Sequence, residues 1–178
     1  NTPAESVTQW AHFCESKRKR ELLAHLVKTN NWEQVLVFCK TKHGANRLAY
    51  QLEKDGINAA AIHGNKSQNA RIEALENFKA NKVRVLVATD IAARGIDVDT
   101  LGHVVNFDVP MVPDDYIHRV GRTARAGATG DAFTFVSPEE ESQLRPIERA
   151  IGRALPRVTV PDFDYAARPE ARLEIPTA

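Results

Sequence analysis

The stretch Val35-Leu36-Val37-Phe38-Cys39 is a continuous apolar run, and its pattern decides the fold class. A run of this kind is typical of a strand buried on both faces, because helices cover both sides of a parallel sheet. The segment at residues 7–13 alternates loosely between apolar and polar side chains, which predicts an edge strand. Further strands are predicted by short apolar runs at residues 57–62, 83–87, 104–107 and 132–136.

Amphipathic segments separate the apolar runs, and Thr41 and Ser67 supply hydroxyls that favour helix N-caps before two of them. In the helix after Ser67 we expect Ile72, Leu75 and Phe78 to face the core. Strands that alternate with helices predict an α/β fold with a parallel sheet between helices, joined by right-handed crossovers. Ligands of such sheets bind at the carboxyl ends of the strands, so the loops that follow the strands are where a site is expected.

The composition excludes several classes of protein. The net charge of +1 gives no global positive field, so any nucleic acid must be bound by locally placed groups. No apolar run approaches the roughly 18 residues that span a membrane, so no membrane partner is expected. Cys14 and Cys39 lack metal-ligand spacing and are too few for a disulfide scaffold. We therefore expect no metal site and a cytoplasmic protein, since cysteines without a disulfide framework favour a reducing compartment.

The chain divides by composition into two parts. We predict one domain at residues 1–155 and an extended or disordered tail at residues 156–178, where prolines punctuate a polar stretch. The chain starts at Asn1 rather than at a methionine, and we expect it to belong to a longer protein.

The segment His118-Arg119-Val120-Gly121-Arg122-Thr123-Ala124-Arg125-Ala126-Gly127 concentrates basic side chains. Arginine stays charged, and its planar fork matches the oxygens of a phosphate. Arg122 and Arg125 are three residues apart, so a helical turn would aim both in one direction. Such a pair could neutralise a transferring γ-phosphoryl group. A solvated basic helix end would have the same composition.

The segment Val87-Ala88-Thr89-Asp90-Ile91-Ala92-Ala93-Arg94-Gly95-Ile96-Asp97 directly follows a predicted strand. The carboxylate of Asp97 suits a sugar hydroxyl, as acidic residues do in dinucleotide sites. Thr89 and Asp90 are equally suited to local capping or turn formation.

The segment Ala61-Ile62-His63-Gly64-Asn65-Lys66-Ser67-Gln68-Asn69-Ala70-Arg71 ends a strand and opens a helix. A helix N-terminus favours phosphate through its free N–H groups and its dipole. Gln68 and Arg71 are one turn apart and could contact a nucleic-acid backbone, although an ordinary capped surface helix has the same residues.

Taken together, these segments resemble the C-terminal RecA-like lobe of DEAD-box ATP-dependent RNA helicases. The resemblance covers about residues 7–155 and implies a RecA-like parallel β-sheet sandwiched between helices. The segment Lys42-His43-Gly44-Ala45-Asn46 further resembles the bacterial RhlE branch of this family. The matching elements are motif IV at residues 35–41, the Q-x-x-R element at 68–71, motif V at 89–97 and motif VI at 118–127.

The resemblance implies a nucleotide site that two lobes share. Arg122 and Arg125 would be the catalytic arginine fingers that reach the ATP γ-phosphate. Asp97 would contact the ribose, and Gly95 would lie beside it in the ATP site. Ala124 departs from the family pattern, which often has glycine there, so its effect on the backbone is in question.

The resemblance also implies an RNA site that reads the strand through its sugar-phosphate backbone rather than its bases. His118 and Arg119 would couple the ATP site to the RNA site and to the partner lobe. The RNA contacts would come from Thr41, Gly64, Gln68, Arg71, Thr89, Asp90 and Gly95.

Two motifs of the family are absent from this chain: the phosphate loop G-x-x-x-x-G-K-[ST] and the tetrapeptide Asp-Glu-Ala-Asp. In the family both belong to a preceding N-terminal RecA-like lobe, so ATP with Mg²⁺ would be bound mainly there. The expected partners are therefore this N-terminal lobe of the same protein and single-stranded or duplex RNA. The fragment itself is expected to be a monomer.

Three alternatives have different chemistry. A non-catalytic RecA-like module that only binds RNA or protein would keep the fold and Arg71, but it has no need for both Arg122 and Arg125. The lobe of a DNA helicase or remodeller shares the arginines, yet the sequence of residues 88–97 is more similar to that of the RNA helicase family. A flavodoxin-like enzyme would leave the arginine cluster without a purpose.

The chain alone is expected not to hydrolyse ATP, because nothing in it cradles the β-phosphate or positions the attacking water. Phosphate release from ATP, measured with and without single-stranded RNA, checks this against a protein-free blank. RNA-stimulated release by the isolated chain would contradict the assignment of these parts to another lobe.

Overall fold

The computed structural model describes residues 7–94, 96, 101–123 and 130–166. Within them one sheet contains the strands β1 (Val7–Phe13), β2 (Val35–Phe38), β3 (Ala59–Ile62), β4 (Val85–Ala88), β5 (His103–Asn106) and β6 (Gly130–Val136). The strands lie in the order β1-β6-β5-β2-β4-β3, and every neighbouring pair is parallel. The predicted parallel sheet and the edge position of residues 7–13 are therefore confirmed.

Helices cover both faces of the sheet. They are α1 (Lys19–Thr29), α2 (Lys42–Lys54), α3 (Gln68–Lys79), α4 (Asp90–Ala93), α5 (Pro113–Val120) and α6 (Glu141–Ile151). On β2, Val35 and Val37 pack with α1 and α2, whereas Leu36 and Phe38 pack with α3 and α4 on the other face. All four side chains are buried, which is why this strand has a continuous apolar run rather than an alternating one.

Two predicted caps fix where α2 and α3 begin. The hydroxyl oxygen of Thr41 accepts a hydrogen bond from the Gly44 amide at 3.0 Å, and that of Ser67 accepts one from the Ala70 amide at 3.1 Å. Gly56 follows the end of α2 with a φ of 85°, a conformation that glycine adopts without strain. Both helices therefore start at the carboxyl edge of the sheet, where a site is expected.

The expectation that Ile72, Leu75 and Phe78 share a buried face was wrong for Ile72. Phe78 is fully buried and Leu75 is half-buried, but Ile72 is 49% exposed. Side chains six positions apart point about 120° away from each other around a helix axis, since each residue turns the helix by about 100°. Ile72 therefore faces away from the sheet when Phe78 faces it.

The described part of the predicted tail lies along the free side of β1. The Ala11 amide donates to the Pro156 carbonyl at 2.8 Å, and the Val158 amide donates to the Ala11 carbonyl at 2.9 Å. The guanidinium of Arg157 lies 4.1 Å from the centroid of the Phe13 ring. Residues 156–158 thus add one parallel bridge to the sheet. The domain boundary at residue 155 stays a prediction.

A buried ion pair connects α1 with the turn that precedes α6. Lys19 Nζ lies 2.5 Å from Glu140 Oε1 and donates to the Phe107 carbonyl at 2.7 Å. Glu140 also accepts hydrogen bonds from the amides of Val109 and Ser137 at 2.9 and 3.1 Å. Burial raises the pKa of Glu140, but Lys19 and these hydrogen bonds outweigh burial and hold that pKa below its ordinary value of 4.5. The pair thereby anchors the loop between β5 and α5.

The substitution Lys19→Met is expected to lower the free energy of unfolding by about 3–5 kcal/mol, because Glu140 would be left charged and unpaired in a mostly buried site. Urea unfolding at pH 7 measures the change. The double variant Lys19→Met/Glu140→Gln is the control and should recover much of the loss. A loss below about 1 kcal/mol, the value of an exposed pair, would contradict a structural role for this contact.

The same pair predicts a pH dependence with a definite sign. Because the folded pKa of Glu140 is depressed, its stabilising contribution is complete above the ordinary value of 4.5 and is lost as the pH falls through the folded pKa. The stability difference between wild type and Lys19→Met should therefore narrow below pH 4.5. Urea unfolding of both proteins, repeated between neutral and acidic pH, tests this. A stability difference that does not change with pH would exclude Glu140 as its cause.

Candidate functional site

Arg119 on α5 is 3% exposed, and its guanidinium joins the ends of three strands. Nε and Nη2 donate to Asp90 Oδ1 and Oδ2 at 2.7 and 2.8 Å, which makes a two-pronged ion pair with the start of α4. Nη1 donates to Asn106 Oδ1 at 3.1 Å and to the Asp108 carbonyl at 2.8 Å, both at the end of β5. The guanidinium lies 5.1 Å from the centroid of the Phe38 ring at the end of β2. Arg119 therefore holds the carboxyl edge of the sheet together.

The sequence of α5 explains why this arginine is buried. Tyr116, Arg119 and Val120 stand at helical spacing on one face, and all three are buried. The Tyr116 hydroxyl donates to Gln9 Oε1 at 2.5 Å, and burial raises the pKa of Tyr116 far above its usual range. A positive charge on a buried helix face needs an opposite charge beside it, and the Asp90 carboxylate supplies that charge to Arg119. His118 is exposed instead, so the two residues predicted to couple the sites occupy different environments.

Asn106 is a site residue that the sequence analysis did not single out. It is fully buried, and its Nδ2 donates to Thr134 Oγ1 at 3.1 Å, which orients its Oδ1 toward Arg119. A polar amide at the end of the apolar run 104–107 was the available signal, because a buried amide needs partners. The predicted RNA contact at Asp90 stays a prediction, and the structure shows that both carboxylate oxygens of Asp90 are bonded to Arg119.

His63 is a second residue that was not predicted, and it shapes the turn before α3. Its Nδ1 accepts a hydrogen bond from the Asn65 amide at 3.2 Å, so Nε2 carries the proton and donates to Asn46 Oδ1 at 3.0 Å. Burial lowers the pKa of His63, and the positive charges of Lys66 and Lys42 lower it further. A neutral ring therefore connects α2 with the turn after β3.

The RNA-contact residues predicted on β2, β3 and β4 lie at adjacent strand ends, because these strands are neighbours in the sheet. Thr41 caps α2 and is exposed, whereas Thr89 precedes α4, is half-buried and makes no side-chain cap. Gly64 and Gln68 are exposed. Arg71 is half-buried, and its guanidinium has no partner among the residues that the structure describes.

Arg122 lies just beyond α5, which ends at Val120. Its Nη1 donates to the Ile96 carbonyl at 3.1 Å, and its amide donates to the Arg119 carbonyl in a turn. Because Arg125 lies outside the described residues, its predicted alignment with Arg122 stays a prediction. The other predicted ATP-site residues lie outside the described residues: Gly95, Asp97 and Arg125.

Other chemistries find little support in the described part of the chain. No group of three histidine, cysteine or acidic residues there is arranged to hold a metal ion. None of its helices has the length and apolar character needed to cross a membrane. Both Cys14 and Cys39 are buried thiols, and burial raises the pKa of each, to about 11 for Cys14.

Comparison with known proteins identifies the family of this chain. Residues 18–127 match the profile of the helicase conserved C-terminal domain. The chain belongs to the helicase C-terminal domain family. Over 161 residues it is 44% identical to the ATP-dependent RNA helicase RhlB of Pseudomonas syringae, a match that covers 90% of this chain and 41% of RhlB. The DEAD-box ATP-dependent RNA helicase CshA of Bacillus subtilis is 42% identical over 170 residues, covering 96% and 34%.

Solved structures agree with this helicase C-terminal domain in fold. The E. coli DEAD-box protein SrmB, solved bound to the regulator RraA, superposes with a TM-score of 0.85 at 35% identity, covering 93% of this chain and 98% of that one. Dbp5 of S. cerevisiae, solved with RNA and ADP BeF3, gives 0.79 at 31% identity, covering 86% and 41%. The predicted RecA-like fold and the DEAD-box resemblance are confirmed, whereas the RhlE branch stays a prediction. This helicase C-terminal domain spans about two fifths of the length of its RhlB relative.

The Arg119–Asp90 pair is expected to be strongly coupled in a double-mutant cycle. Asp90→Ala leaves a buried guanidinium unpaired and Arg119→Met removes the charge, so the two losses should not add. We expect a coupling energy of about 1–3 kcal/mol in urea unfolding.

The exposed pair Glu76–Lys79 on α3, with its charged atoms 4.0 Å apart, is the matched control for this cycle. Its coupling should stay below about 0.5 kcal/mol, since solvent screens an exposed pair. Equal coupling in the two cycles would mean that Arg119 does not organise the strand ends.

Proposed function

We propose that this domain is the C-terminal lobe of an ATP-dependent RNA helicase that locally unwinds RNA duplexes or remodels RNA–protein complexes. The observation that carries the proposal is the Arg119–Asp90 ion pair, because it joins the arginine-rich segment that begins in α5 to the strand ends. A binding module would need only one of these two surfaces. The relatives named as ATP-dependent RNA helicases support the same activity.

On the nucleotide side, Arg122 and Arg125 would act as arginine fingers on the γ-phosphate of ATP. A planar guanidinium suits this task, because it neutralises charge on the transferring group without any proton transfer. Arg122 is half-buried, and its bond to the Ile96 carbonyl would limit its freedom before the nucleotide arrives. Asp97 would bind the ribose beside Gly95. Mg²⁺, which neutralises charge on the β- and γ-phosphates, would be held mainly by the preceding lobe.

On the RNA side, the strand ends of β2, β4 and β3 would hold a single strand by its backbone. Arg71 is suited to a phosphate, because its guanidinium has no other partner in the described part of the domain. Exposed Gly64 allows the strand to approach the main chain. Contacts with 2′-hydroxyls would favour RNA over DNA. The proposed set is Thr41, Gly64, Gln68, Arg71, Thr89, Asp90 and Gly95.

The cycle we propose depends on closure of two lobes. ATP and single-stranded RNA would both favour the closed arrangement, because each contacts both lobes. Closure would bring Arg122 and Arg125 to the phosphate while the bound strand separates from its complement. Exposed His118 would face the partner lobe, and buried Arg119 would transmit the position of one site to the other. Loss of the γ-phosphate would then allow the lobes to reopen.

The further expectations follow from the same proposal. The whole enzyme would contain an N-terminal RecA-like lobe, and this domain would be a monomer without ATPase activity of its own. A cytoplasmic location and a place in the RhlE branch would accompany this function.

The decisive experiment is RNA-stimulated ATP hydrolysis by a protein that contains this domain and the preceding lobe. Arg125→Ala is expected to lower kcat by about 10³-fold or more, the value typical of an arginine finger, while ATP binding persists. Phosphate release gives kcat, and fluorescence of a labelled nucleotide gives the affinity. Arg145→Ala is the matched control, since this exposed arginine on α6 belongs to neither site.

The outcome distinguishes a catalytic lobe from a non-catalytic binding module. Loss of activity in Arg125→Ala but not in Arg145→Ala supports the arginine-finger role. If both variants hydrolyse ATP as the wild type does, or if RNA has no effect, the domain is the non-catalytic RNA- or protein-binding module.

A further inference from the structure

A basic cleft opens beside the predicted RNA-contact residue Thr41, and the proposed function assigns no role to it. We define the basic cleft by Lys17, Arg20, Lys40, Arg47 and Gln51, which line it. Its volume of about 650 Å³ is within the range of roughly 300–1,000 Å³ that ligand sites have. The cleft could therefore hold part of a polymer as well as a small anion.

Two helix faces form the walls of the basic cleft. On α2, Gly44, Arg47, Leu48 and Gln51 stand at helical spacing, so this wall is one continuous face of the helix. On the opposite wall, Lys17 lies in the turn that precedes α1, and Arg20 and Glu21 lie in the first turn of α1. The floor is the carboxyl end of β2 and β5. The cleft thus belongs to the same edge of the sheet as the predicted RNA contacts.

The cations of the basic cleft exceed its available anions. Asp108 lines the cleft, and its Oδ2 accepts the neutral Lys40 amide at 2.7 Å, a bond that does not cancel the charge of the carboxylate. Glu21, the other carboxylate of the lining, lies 3.7 Å from Arg20. The side chains of Lys17, Lys40 and Arg47 have no ion pair or hydrogen bond within the described residues. The lining thus has four cationic side chains, Lys17, Arg20, Lys40 and Arg47, against the carboxylates of Glu21 and Asp108, and this excess of positive charge favours an anionic ligand.

Gln51 adds a neutral hydrogen-bonding group to the lining of the basic cleft. It is only 8% exposed and lines the cleft, yet its side-chain amide has no hydrogen bond among the described residues. Its amide atoms open into the cleft rather than into the core, so they are available to a ligand there. The amide can donate to a phosphate or a sugar hydroxyl, and it can accept from a hydroxyl.

We propose that the basic cleft binds the sugar-phosphate backbone of the RNA strand where it continues past Thr41. This inference rests on the proposed function and deepens it, because it extends the RNA path from the ends of β3, β4 and β2 to the groove between α1 and α2. Arg47 holds a phosphate with its planar fork, Lys17 and Lys40 neutralise the flanking charge, and Gln51 bonds to a sugar or phosphate oxygen.

A strand of RNA is favoured over an acidic peptide for two reasons. The cleft is continuous with Thr41, which lines it at the N-terminus of α2, so a strand held there needs no break to enter. Gln51 also offers an amide to a ligand whose every repeat carries both a charge and hydroxyl groups. A peptide of glutamates would match the charge and could bond to Gln51 through its backbone, but it has no hydroxyl groups.

The test measures binding of a protein that contains this domain and the preceding lobe to labelled single-stranded RNA, by fluorescence anisotropy with a non-hydrolysable ATP analogue and across a range of salt concentrations. A short oligonucleotide is compared with two longer ones, extended by a few nucleotides at the 5′ or the 3′ end. Extension at one end only should tighten binding and steepen the salt dependence by about 0.7 for each added phosphate contact. Arg47→Ala should weaken the extended strand about tenfold and leave the short one unchanged, which also shows that the variant is folded. Arg145→Ala, exposed on α6, should change neither.

The outcomes separate this inference from the proposed function. If the short strand binds and Arg71→Ala weakens it, but neither extension nor Arg47→Ala matters, the RNA site stands and the cleft proposal is overturned. If Arg71→Ala has no effect or no strand binds, the RNA role itself fails, and the cleft proposal fails with it. If a glutamate-rich peptide binds in an Arg47-dependent way while the extended RNA gains nothing, the cleft is a peptide site and the proposal is wrong.

Discussion

A buried guanidinium is the constraint on which the functional edge of this domain depends. Removing the charge of Arg119 from water is unfavourable by several kcal/mol. The fold is therefore stable only when the N–H groups of this guanidinium all have hydrogen-bond acceptors. The acceptors are Asp90 at the start of α4, after β4, and Asn106 and the Asp108 carbonyl at the end of β5. A displacement of any one would leave a buried donor or acceptor unpaired, so these strand ends are expected to move together.

The second buried pair, Lys19–Glu140, acts from the other side of the same loop. Arg119 bonds to the Asp108 carbonyl, while Lys19 and Glu140 bond to the Phe107 carbonyl and the Val109 amide. The loop between β5 and α5 is therefore anchored at three consecutive residues. A chain with a net charge of only +1 thus uses part of its charge in internal ion pairs, while four of its cationic side chains line the basic cleft.

The elements of the fold could be predicted because each depends on neighbours in the sequence. The apolar run of β2 and the caps at Thr41 and Ser67 are local signals, and the structure has all of them. The contacts of Arg119 could not be predicted, because Asp90 lies 29 residues away and its selection depends on the order of the strands. His63 was missed for the same reason, since its partner Asn46 belongs to another helix. For Ile72 the local pattern predicted too much burial. A helix that contacts the sheet along a narrow line does not bury all of its apolar residues.

The short bridge between residues 156–158 and β1 has a consequence for the behaviour of the protein in solution. A parallel sheet with free edges is a template for pairing with other chains, and proteins generally protect such edges. Here one edge strand, β3, has only four residues, while the longer β1 is paired at Ala11 by the segment that follows Leu155. The segment after the last helix therefore protects the sheet against self-association. A chain cut at residue 155 would expose β1, the longer of the two edge strands, to pairing with other chains.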